Sequence, residues 1–136
     1  MHVASTTSDA YVKWSGWNER TAANPELIVL WTQVWNNASL ADFSEQERLQ
    51  IILSLRSLAQ LLAAIHQQHQ NKLIDDEFWN IHRDYFAAFF QVKCIRAWWD
   101  IERNSSLFTA TFIQEVDDAQ GFSLGLGGQR TVEESA

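Results

Sequence analysis

The side chains of this chain able to hold a metal, move a proton or attack an electrophile are four histidines, one cysteine and seventeen carboxylates. His66 and His69 stand three residues apart, a step that brings two imidazoles to one side of a helix. A metal site needs at least one more protein ligand, and His82 or Asp84 on the following helix would supply it. The plainer role is that His66 and His69 end an apolar stripe and meet the negative end of their own helix. A helical-bundle metal enzyme would also require Glu-x-x-His pairs on two helices, and the sequence contains none. No metal or other cofactor is therefore assigned.

Asp75, Asp76 and Glu77 are consecutive, which suits the positive end of a helix better than a pair of acid and base facing each other across a cleft. Cys94, the sole cysteine, excludes an intrachain disulfide and a multi-cysteine metal site. Lys93 would lower its pKa if the thiol were exposed, but among apolar neighbours it reads as a packing residue. Gly125-Leu126-Gly127-Gly128 lacks the preceding strand, following helix and Lys-Ser or Lys-Thr of a phosphate loop. No catalytic residue emerges.

The segment Arg96-Ala97-Trp98-Trp99-Asp100, with Arg103, is the most pointed feature. Adjacent residues diverge by about 100° on a helix, so two neighbouring indoles do not share one direction. One of Trp98 and Trp99 is expected in the core and the other at a partner surface beside Arg96 or Arg103, since Trp and Arg are favoured binding residues. The alternative is a wide buried face with an arginine on an indole edge. The leading expectation is a non-catalytic protein-interaction module with an aromatic surface, self-association included. The next is a small-ligand sensor whose pocket is lined by Trp79, Phe86, Phe90 and Trp98; the last is an enzyme holding metal on His66, His69 and His82.

Local signals place the elements that carry these residues. A first helix is expected from about Ser8 to Ala22, with Tyr11, Trp14 and Trp17 as its apolar residues and Gly16 weakening its middle. Asn24-Pro25-Glu26 combines an N-cap, a first-turn proline and an acid, and opens a helix to about Asn36. Ser44 with Glu47 is a capping box, from which Ile51, Leu55, Leu58, Leu62, Ile65 and His69 form a stripe along a helix 44–70. After the connector Lys72-Leu73-Ile74 the next helix opens at Asp75-Asp76-Glu77, with Phe78, Ile81, Tyr85, Phe89 and Val92 on one face and Trp79, Phe86 and Phe90 widening it until much of the circumference is apolar. A bend near Lys93 would separate it from residues 94–103. Thr109 caps a last helix, for which Gly121 is the stop.

These signals predict an all-α fold, a single bundle of five or six helices around the long helix 44–70. Residues 1–120 would be the helical domain and the glycine-bearing residues 121–136 a flexible tail. A chain of 136 residues with 46% apolar and 20% charged side chains is enough for one core. Seven Trp, eight Phe and two Tyr exceed what a simple core requires, so aromatic rings are expected at the surface too.

The net charge of −7 leaves no basic footprint, which makes nucleic acid a poor partner. The longest unbroken apolar runs, Leu61–Ile65 and Tyr85–Phe90, fall short of the roughly 18 to 20 residues of a transmembrane segment. No signal peptide is visible at Met1-His2-Val3, and a cytoplasmic setting fits the lone cysteine.

Pro25-Glu26-Leu27, Phe43-Ser44 with Glu47 and Arg48, Asp76-Glu77 with Trp79, Arg96-Ala97-Trp98-Trp99, and Phe112 with Val116-Asp117 together form a pattern similar to small bacterial helical proteins of unknown function. The likeness covers about residues 25–118. Those proteins usually begin with a membrane helix, which is not evident here, and the resemblance implies a helical domain without assigning an activity.

Overall fold

The structure, a computed structural model, describes residues 3–36 and 38–119. They form six helices with no strand among the described residues: α1 Val3–Ala22, α2 Pro25–Trp35, α3 Glu45–Gln70, α4 Asp76–Ala88, α5 Lys93–Glu102 and α6 Ala110–Asp118. Short 3-10 turns occupy Leu40–Asp42 and Phe89–Gln91.

The helix starts follow local chemistry. The Asn24 side chain accepts from the Leu27 amide at 3.2 Å, ahead of Pro25. Ser44 and Glu47 exchange hydrogen bonds, 3.2 Å from the Glu47 amide to the serine hydroxyl and 2.8 Å from the Ser44 amide to the carboxylate. The Asp75 and Thr109 side chains each accept one bond, from the Glu77 and Phe112 amides, at the starts of α4 and α6. Each cap satisfies an amide that the first turn leaves without an intrahelical partner.

α3 packs against α1, α2 and α4. Its residues Ile51, Leu55, Leu58, Leu62 and Ile65 are at most 1% exposed, so the stripe does form the core. The helix also reaches the length and mean hydropathy, 1.4, of a membrane span, although 39% of that stretch is buried inside the fold. Counting unbroken apolar runs overlooked this property, because Ser54, Arg56, Ser57 and Gln60 interrupt them without removing the average.

Several details differ from expectation. α1 begins at Val3, five residues ahead of Ser8, and Tyr11 is 60% exposed while Ala10, Trp14 and Trp17 turn inward. On α4, Ile81 is exposed against expectation, whereas Phe78, Trp79 and Phe86 are buried as a wide apolar face requires, because α4 packs against both α3 and α6. The bend before α5 is present, with the 3-10 turn and an extended, fully buried Val92. α6 ends at Asp118 with Ala119 as its C-cap. The proposed stop at Gly121 and the tail 121–136 lie outside the described residues.

Candidate functional site

The three histidines engage separate partners. His66 is buried, and its Nε2 pairs with the Glu115 carboxylate while the Gln70 side chain lies 3.2 Å away. His69 places Nε2 2.7 Å from Asp76 Oδ1 and stacks on Trp79. His82 Nδ1 donates to the Phe78 carbonyl at 2.9 Å, and its ring stacks on Phe78 at 4.0 Å with Trp14 edge-on at 4.7 Å. Among the described residues no group of three or more His, Cys, Asp or Glu side chains is placed to hold a metal. The set His66, His69 and His82 thus does not converge: His82 leans toward α1, while the other two meet carboxylates of α6 and of the start of α4.

The expected division between Trp98 and Trp99 is also overturned. Trp98 is 3% exposed and Trp99 is fully buried. The divergence of neighbouring positions is real, but α5 is covered from more than one direction. Phe86, Phe90, Phe108 and Phe112 surround Trp99 at centroid distances of 5.3 to 6.4 Å, and α5 also packs on α2. Neither arginine seats on an indole face: Arg96 pairs with Asp100 at 3.0 Å and lies over Phe90, and Arg103 pairs with Asp117.

The ligand pocket expected around Trp79, Phe86, Phe90 and Trp98 is instead filled core, in which Trp79, Phe86 and Trp98 are buried and Phe90 stacks on Trp99. Cys94 is fully buried, and loss of solvent pushes its thiol up to about 11; burial outweighs any lowering by Lys93.

An aromatic cleft does exist elsewhere. α1 contributes Trp17, Asn18 and Thr21; α2 contributes Ile28, Trp31 and Trp35; α4 and the turn after it contribute Tyr85 and Phe89. The half-open space measures about 190 Å3, and none of these lining side chains is charged. Four-residue steps, Trp31 to Trp35 and Tyr85 to Phe89, put each pair on one face of its element. The rings stand across one another: 77° between Trp17 and Trp31, 82° between Trp35 and Phe89, and 61° between Tyr85 and Phe89. Trp17 is held from α3, donating its indole N–H to the Ser54 carbonyl at 3.3 Å. The Thr21 hydroxyl donates to the Trp17 carbonyl at 2.9 Å. Burial pushes the Tyr85 phenol above its ordinary range, so that it stays neutral.

A second cleft, about 400 Å3, is lined by Arg83, Asp84, Glu115, Asp118 and Ala119. Its charges already have partners within the chain: Arg83 with Asp84, Glu115 with His66, and Asp118 with Gln114 at 2.7 Å. The aromatic cleft is therefore the stronger candidate; sequence reasoning missed it in favour of Trp79, Phe86, Phe90 and Trp98, and the four-residue steps of Trp31/Trp35 and Tyr85/Phe89 are the only sequence signal that could have led to it. Set beside known proteins, the chain matches no family model, no curated protein and no solved structure.

Proposed function

We propose that this protein is a binding module that takes a small ligand into the cleft between α1, α2 and α4. The observation that carries the reading is the meeting of five aromatic side chains from three helices and a turn around an uncharged space of about 190 Å3. Binding sites for small molecules are concave, largely apolar and aromatic, with few polar groups at the edge, and Asn18 and Thr21 fill that last role. The sensor idea is kept with its pocket relocated. The interaction-module reading loses its aromatic pair to burial, and the metal-enzyme reading loses its convergent ligands.

The test is titration with small neutral and cationic probes, followed by indole fluorescence and ligand-observed NMR. At least one probe should bind saturably. Binding should vanish in Trp35→Ala and in Ile28→Trp, which fills the cleft from its rim, and should persist in Ile101→Ala on the exposed side of α5. Absence of saturable binding by every probe, or equal binding by Ile28→Trp, would reject the proposal.

A further inference from the structure

The cleft's chemistry narrows the class of ligand, on the premise that the cleft is the binding site. We infer that it takes a small, free quaternary ammonium compound, of which choline is the simplest probe. Aromatic faces carry the negative part of the ring quadrupole and attract a cation, tryptophan most strongly. Three of the five rings here are indoles; Trp31 and Trp35 are tilted by 37° to each other, while the Trp17–Trp31, Trp35–Phe89 and Tyr85–Phe89 pairs are inclined at 61 to 82°, so the rings do not all stack in one direction.

Among the described residues no side chain lining the cleft is charged, which discriminates further. An anion would leave water without gaining a counter-charge. A primary ammonium would exchange its full hydration for a few neutral acceptors, the Asn18 amide oxygen and the hydroxyl oxygens of Thr21 and Tyr85, with no carboxylate among them. A quaternary ammonium has no N–H to satisfy and is weakly hydrated, so an apolar aromatic wall costs it little. The chain's net charge of −7 favours the approach of cations over anions. The volume, about 190 Å3, is below the roughly 300 to 1,000 Å3 of pockets for drug-sized molecules, which fits a compact head group.

Calorimetric titration with choline, its neutral carbon isostere 3,3-dimethylbutan-1-ol, and ethanolamine tests the inference with the intact chain. Choline should bind about tenfold tighter than either alternative, the size of effect a desolvated cation–π contact supports. Incorporating tryptophan with successively more fluorine at position 35 should weaken choline stepwise, because fluorine withdraws ring electrons with little change in shape. Equal binding of choline and 3,3-dimethylbutan-1-ol, equal binding of ethanolamine, or indifference to fluorination would overturn the cationic ligand while leaving the cleft as a binding site. Binding to phosphatidylcholine vesicles without binding of free choline would overturn the free compound. Failure of all probes here and in the wider panel would remove the cleft reading itself.

Discussion

The Trp99 indole N–H donates to Asp117 Oδ1 at 3.0 Å, and the other oxygen of that carboxylate pairs with Arg103. One side chain of α6 thus serves both the buried middle of α5 and the residue that caps its end. Because Trp99 is removed from water, its N–H depends on a protein acceptor, and Asp117 is the one it uses.

Asp117→Ala should therefore destabilise the protein by about 1–3 kcal/mol, the cost of leaving a buried donor unsatisfied. Asp117→Asn, which keeps an acceptor oxygen, should lose less. Urea midpoints of the two variants provide the comparison, and a loss below about 0.5 kcal/mol in Asp117→Ala would place that contact among ordinary surface interactions.

Lys72 holds the left-handed position that closes α3, with φ of 62°. Its amide reaches the His69 carbonyl and the Leu73 amide reaches the Gln68 carbonyl, both at 2.9 Å, the pairing that usually ends on glycine. Lys72→Gly should raise stability by about 0.5–1 kcal/mol, because the Cβ penalty disappears and only part of the gain is offset by unfolded-state freedom. Thermal unfolding decides it: a lower melting temperature in Lys72→Gly would contradict the strain.

His82 is held below its ordinary pKa of 6.5 by burial, with the hydrogen bond to the Phe78 carbonyl opposing that shift only in part. The folded chain then binds this proton less readily than the unfolded chain. The contribution to stability is complete above about pH 6.5 and is lost as pH falls from there through the folded pKa. An NMR titration should give His82 a midpoint under 6.5, and His82→Phe should flatten the pH dependence of stability between about pH 7 and 5. A midpoint at or above 6.5 would show that solvent reaches the ring freely.

Cys94, with its thiol pushed up to about 11, should remain protonated and unreactive in the folded protein at pH 8. A thiol reagent should label it only on unfolding. Rapid stoichiometric labelling under native conditions would reveal an opening of the core around α5.

Much of the helical framework is legible in short stretches of sequence. Asn24 before Pro25, Ser44 with Glu47, and Thr109 each act on amides within three residues, so no distant part of the chain is needed to interpret them. The α3 stripe from Ile51 to Ile65 is equally local, since it depends only on helical period. The close of α3 was harder to read, because lysine rather than glycine occupies its left-handed position.

By itself the sequence determined where α2, α3, α4 and α6 begin, that the fold is all-α, and that the middle of α3 is core, because hydrogen bonding and periodicity act over a few residues; α1, which carries no such cap signal, starts five residues ahead of the expected Ser8. Tertiary structure alone decided how wide an arc of each helix is covered. That arc buries both Trp98 and Trp99, sends His66 to Glu115, a sequence separation of 49, and turns Ile81 outward. It also brings Trp17, Trp31, Trp35, Tyr85 and Phe89 around one space, since a cleft is a relation between helices and no single helix carries it.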